Sequence, residues 1–156
     1  KSNIMLEEDY IKYHNKETKI SFTKGPVVKV VINSCYGGFG LSPRAIKRWL
    51  ELQGKECHFF VGVKESVPID LKTLENPQPI FFHVYTTPEP NDDTYISCRS
   101  IPRSDPLLIQ VIEELGEKAN SKFAELKIVE IPDDVKWTIE EYDGKEWIAE
   151  EHRTWS

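Results

Sequence analysis

"VVKVVINSCYGGFGLSPRAIKRWL" runs from Val27 to Leu50 and sets an apolar run, a glycine cluster and a capped helix start in succession. The opening "VVKVVINS" (Val27 to Ser34) is rich in β-branched residues and predicts a buried strand. Three glycines around one aromatic follow at 35–40. A helix then begins. Ser42 offers an N-cap oxygen, and Pro43 occupies the first helical position, where its missing N–H does no harm. Leu41 and Ile46 suit a hydrophobic staple across that cap. Ala45, Ile46, Trp49, Leu50 and Gln53 share the inner face, and Arg44, Lys47 and Arg48 make the outer face basic. Gly54 is a natural stop.

Working outward, "ECHFFVGV" (Glu56 to Val63) predicts the next strand. Strand, glycine turn, helix, strand is a βαβ-like beginning, although order alone does not make the two strands parallel neighbours. "VPIDLKTLENPQP" (Val67 to Pro79) reads as a proline-bounded loop. "IFFHVYTT" (Ile80 to Thr87) and "TYISCR" (Thr94 to Arg99) read as a hairpin around the turn "PEPNDD". Asp105 and Pro106 open a second helix reaching about Asn120, with Gly116 weakening it or ending it early. "AELKIVEIP" (Ala124 to Pro132) is another strand.

Asp143-Gly144 then signals a closing hairpin. Setting Tyr142 opposite Lys145 places Val135, Trp137, Ile139, Ile148, Glu150 and His152 on one face. The expected architecture is a single α+β domain over 1–156. It has a mixed β-sheet, about two helices on one face and a C-terminal β-hairpin. Residues 1–24 are polar and read as an N-terminal arm or an edge strand.

The chain has 156 residues and a formal net charge of −6, with 39% hydrophobic and 29% charged residues. That is ordinary globular material, and its acidity argues against general nucleic-acid or membrane-surface binding. No apolar run approaches the roughly 20 residues of a membrane span, and the opening "KSNIMLEEDY" has no apolar signal core. Cys35, Cys57 and Cys98 are odd in number and lack a C-x-x-C, which reads as reduced thiols in a cytoplasm. The scattered histidines give a zinc site no support, and no cofactor is expected.

The glycine turn is the first candidate for chemistry. A strand ending in such a turn and feeding a capped helix aims backbone N–H groups outward, and the helix start adds partial positive charge. Gly37, Gly38 and Gly40 permit positive φ and close approach of a phosphate. Asn33 would orient the turn, and Cys35, Tyr36, Phe39 and Ser42 would line it. The stretch is neither a Walker A sequence nor G-x-G-x-x-G. The alternative is a tight strand-to-helix turn with Phe39 plugged into the core.

Both predicted helices carry an arginine near their start, Arg44 and Arg103. If the two starts share one sheet edge, both arginines converge on an anion; otherwise each is a solvated surface residue. At the C-terminus, Glu150 and His152 fall on the face of Ile139. Arg153 could pair with a phosphate, and Trp155 or Trp137 could stack on a base. The alternative is a strand end fraying into solvent. Cys35 before a helix start could act as a nucleophile with His152 as base and Glu150 orienting it, or simply be structural.

The stretches "NSCYGGFGLSPRAI", "DPLLIQVIEELGEKANSKFAELKIVEIPDDVKWTIEEYDG" and "EEHRTW" resemble a family of small proteins found in bacteriophages, large DNA viruses and bacteria. The resemblance covers residues 27–156 and leaves the N-terminal arm outside. It implies a viral or bacterial cytoplasmic setting. It brings no assigned activity, cofactor or catalytic residue to these positions.

The expected function is therefore binding of a phosphorylated, nucleotide-like small molecule, with sequestration of a host defence signal as one use in a phage. Two other readings stay open: an enzyme on the same ligand class through Cys35 or Glu150 and His152, and a protein-interaction module acting on a host factor. The composition leaves a homo-oligomer open.

Overall fold

The computed structural model describes residues 25–62, 64–75, 79 and 81–150. The arm expected at 1–24 lies outside them, as do His152, Arg153 and Trp155. The strands are β1 (Val27–Asn33), β2 (His58–Val61), β3 (Val67–Ile69), β4 (His83–Tyr85), β5 (Tyr95–Ile96), β6 (Leu126–Pro132), β7 (Trp137–Tyr142) and β8 (Lys145–Glu150). The helices are α1 (Pro43–Glu51), α2 (Leu71–Glu75) and α3 (Pro106–Leu115).

The fold is α+β, and its strands form three antiparallel units. β1 pairs with β6, β7 with β8, and the third unit runs β3-β2-β4-β5. The βαβ-like opening thus sends β1 and β2 into different sheets. β6 matches β1 in length, with Val27 opposite Pro132 and Asn33 opposite Leu126, whereas β2 is far shorter.

The β1–β6 ribbon is buried on both faces. One face sets Val30, Ile32, Val129 and Ile131 against Ile148 of the closing hairpin. From the other, Val31 joins Ala45, Leu50, Leu108, Phe59 and Val84 in the main core. Burial on two sides is why β1 reads as an unbroken apolar run and not as an alternation. The hairpin register places Tyr142 opposite Lys145 and Ile139 opposite Ile148, as the Asp143-Gly144 turn predicts.

Both helix caps form. Ser42 Oγ accepts from the Ala45 amide at 3.1 Å, and Asp105 Oδ2 accepts from the Leu108 amide at 2.9 Å. Such caps are each worth about 0.5–2 kcal/mol. Asp105 Oδ2 also accepts from Trp49 Nε1 at 2.9 Å, so the last turn of α1 lies beside the start of α3. Conversely, Ser42 donates through its hydroxyl to the Lys118 carbonyl and through its amide to that of Ala119. The start of α1 therefore lies beside the far end of α3, and the two helices run antiparallel. Gly116, at φ 58°, ends α3, and a 3-10 turn continues over Gly116–Ala119.

The stretch read as a proline-bounded loop holds β3 and α2 instead. Pro68 is tolerated because β3 is an edge strand. Asp70 Oδ1 caps the short helix by accepting from the Thr73 amide at 2.8 Å. The hairpin expected over 80–99 narrows to β4 and β5, after which Cys98–Ser100 forms a 3-10 turn.

Candidate functional site

Asn33, the last residue of β1, is fully buried, and its amide and both polar atoms of its side chain are used. Its amide donates to Glu146 Oε1 at 2.8 Å. Its Nδ2 donates to the carbonyls of Cys35 and Gly144, each at 2.7 Å. Its Oδ1 accepts from the Glu125 amide at 2.8 Å. One side chain thus ties the glycine bend to the tip of the closing hairpin and to the entry of β6. This is a fastening role for the side chain.

The glycines answer to the same neighbours. A Cβ on Gly37 would overlap the Phe123 carbonyl, and one on Gly40 would lie 2.6 Å from Ser121 Oγ. A Cβ on Gly144 would lie 2.6 Å from the Tyr36 carbonyl and 2.7 Å from the Gly38 nitrogen. Only Gly38 in the bend adopts positive φ, at 98°. The small residues therefore let the chain's own atoms approach, backbone at Gly37 and Gly144 and a serine side chain at Gly40. The Gly37 amide points to Cys35 Sγ at 3.4 Å, and that sulfur lies 3.2 Å from the Phe123 carbonyl. Phe39 is buried, as the tight-turn alternative has it.

The two arginines do not converge. Arg44 forms a fork with Glu75 of α2 at 3.0 and 2.9 Å. Arg103 forms another with Glu146 of β8, Nη1 to Oε1 at 2.7 Å and Nη2 to Oε2 at 2.9 Å. Its guanidinium also lies 3.6 Å above the Phe39 ring centroid. The antiparallel helix pair separates the two helix starts. The rest of the basic face of α1 is paired as well: Lys47 with Glu51 at 2.8 Å and Arg48 with Glu114 at 2.8 Å. Those contacts hold the Glu51 and Glu114 carboxyls below the usual carboxylate range, through hydrogen bonds from Lys47 and Arg48 respectively.

Glu150 and Cys35 stand apart. The bend meets the hairpin at its tip, whereas Glu150 ends β8, five residues past Lys145 or roughly 17 Å along the strand. Glu150 is exposed, so the inward carboxylate on that face is Glu146. Trp137 is half-buried and packs on the ribbon core.

A different concavity lies at the exit of the bend. It is a cleft of about 360 Å³, floored by Leu41 and Ile46, between the β4–β5 edge and the segment before β6. Phe81, Tyr95 and Phe123 line it and remain 77%, 48% and 53% exposed. Arg99 and Lys122 stand in the same lining, with Lys122 Nζ 5.8 Å from the Phe123 ring centroid. The side chains of Ser97, Cys98, Arg99 and Ser121 also line it and make no hydrogen bond or ion pair among the described residues. Sequence reasoning missed this cleft because three separated segments build it. The available signal was weak: an aromatic directly before β4 and a Lys-Phe pair before β6.

Among the described residues no group of three or more His, Cys, Asp or Glu is placed to hold a metal ion, and no helix is long and apolar enough to cross a membrane. No protein-family model, no curated protein and no solved structure matches this chain.

Proposed function

We propose that this protein binds a phosphorylated, nucleotide-like small molecule, and that it does so in the cleft beside the glycine bend and not in the bend itself. The observation that carries this reading is a contrast of partners. At the bend, Asn33, Arg103 and the neighbouring backbone bond to one another. In the cleft, the polar side chains of Ser97, Arg99 and Ser121 have no partner among the described residues and stand among exposed rings.

That combination suits a planar base joined to a phosphate. Phe81 and Phe123 offer faces for stacking, Arg99 and Lys122 offer charge, and the serines offer hydrogen bonds to a sugar or base edge. A volume of about 360 Å³ falls within the roughly 300–1,000 Å³ of small-molecule sites. In this reading the ligand is held and not transformed: the Cys35 thiol lies outside the cleft lining, between the Gly37 amide and the Phe123 carbonyl. In a phage setting, such a protein would withdraw a nucleotide signal from a host defence.

The test is a thermal-shift panel of nucleoside mono-, di- and triphosphates, followed by mass spectrometry of the retained compound. An unchanged ligand that raises the melting temperature, and fails to do so with Phe81→Ala, supports the reading. No shift with any phosphorylated aromatic compound overturns it, and a chemically altered product overturns its non-catalytic part.

A further inference from the structure

The aromatic lining of the cleft does not end at its rim. Gly37 backs directly on Phe123, and its chain neighbour Tyr36 is 62% exposed. Lys145 Nζ stands 5.4 Å from the Tyr36 ring centroid. Across the hairpin Lys145 pairs with Tyr142, which is 69% exposed. From the cleft to the hairpin tip the surface therefore carries Phe81, Phe123, Tyr36 and Tyr142, with Arg99, Lys122 and Lys145 set among them. The tip also carries carboxylates: Glu141, which accepts from the Gly144 amide at 2.6 Å, Asp143, Glu146 committed to Arg103, and Glu140 one step down the face of Tyr142 and Lys145.

Rings alternating with cations are how proteins hold single-stranded nucleic acid, bases on the rings and phosphates on the cations. Resting on the cleft reading, we infer that the ligand carries more than one base: a short oligonucleotide, linear or cyclic, whose first base sits in the cleft and whose next stacks on Tyr36 at the hairpin tip. The close backbone packing of Gly37 and Gly144 then acquires a functional consequence. It brings Phe123, Tyr36 and Lys145, which are far apart in sequence, into one surface. The net charge of −6 is no obstacle, since the cations are local and the ligand is short.

A mononucleotide, a linear dinucleotide, a cyclic dinucleotide and a tetranucleotide, titrated against the full chain by calorimetry, test this. One added stacked base strengthens binding by about five-fold to a hundred-fold. Tyr36→Ala and, separately, Tyr142→Ala are expected to bring the dinucleotide down toward the affinity of the mononucleotide. Lys145→Ser is expected to reduce the slope of log affinity against log salt by about 0.7. Tyr36 and Tyr142 are exposed and Lys145 is half-buried, and matching melting temperatures verify that each variant is folded. If the mononucleotide binds and longer ligands bind no tighter, this inference is overturned while the cleft reading stands. If none binds, both fall. If poly-glutamate binds instead, and the same variants weaken it, the track is a docking surface for an acidic protein and the inference is overturned.

Discussion

Arg103 and Glu146 meet fork to fork in the interior, at 2.7 and 2.9 Å, across 43 residues of chain. The same Glu146 oxygen takes the Asn33 amide, and the same Arg103 nitrogen donates to the Val31 carbonyl at 3.2 Å. One ion pair therefore joins the approach to α3, the ribbon and the closing hairpin. Removing one partner strands the other. Glu146→Ala is expected to cost about 3–5 kcal/mol in a denaturant titration. The double change Arg103→Met with Glu146→Leu is expected to cost less than Glu146→Ala alone, because it leaves no buried charge stranded, only the Asn33 amide and the Val31 carbonyl without these partners. A double variant as unstable as the single one would show that the charges matter for something other than each other.

Asn33→Ala removes the acceptor of the Glu125 amide and the donor to the Gly144 carbonyl. Each group left unpaired costs about 1–3 kcal/mol. Hydrogen exchange locates the loss: the amide of Glu125 is expected to lose protection in a variant that remains folded at low temperature.

Gly37 lies against the Phe123 carbonyl, whereas Gly25, ahead of β1, has open space around it. Gly37→Ala forces a methyl group into the Phe123 carbonyl and is expected to destabilise by more than about 2 kcal/mol. Gly25→Ala meets nothing within 4 Å and is expected to stay within about 0.5 kcal/mol of the parent. A tolerated Gly37→Ala would mean that the segment around Phe123 yields, and with it the surface that joins Phe123 to Tyr36.

Cys57 supplies a pH dependence. Burial pushes its thiol from 9.0 up to about 12. The folded state therefore holds the proton more tightly than the unfolded chain does. The resulting stability is fully present below about pH 9 and is lost as the pH rises through about 12. The difference in stability between the parent and Cys57→Ala is expected to shrink across that window. At about pH 8 the native thiol is expected to resist iodoacetamide until the chain is unfolded.

The parts of the fold legible in the sequence are those with local chemistry. Ser42-Pro43 and Asp105-Pro106 mark helix starts because a cap and a fixed φ act within one turn. Asp143-Gly144 fixes a register because only that turn matches the strand twist. Helix α2 escapes notice because five residues cannot show a helical period. Glu146 was readable in principle: the alternation that turns Ile148 inward turns Glu146 inward too, and a carboxylate there requires a cation. Nothing in the sequence points to Arg103 as that cation, since only tertiary packing brings β8 to it. The cleft leaves only a weak trace, because Phe81, Arg99 and Phe123 share no spacing.

Calorimetry of one nucleotide ligand against Arg99→Ala and Arg44→Ala in parallel separates the cleft from the start of α1. The cleft account predicts at least a ten-fold loss of affinity, about 1.4 kcal/mol, for Arg99→Ala and little change for Arg44→Ala, whose guanidinium is already committed to Glu75. The reverse pattern, with Arg44 required and Arg99 dispensable, would move the ligand back to the start of α1 and contradict the account.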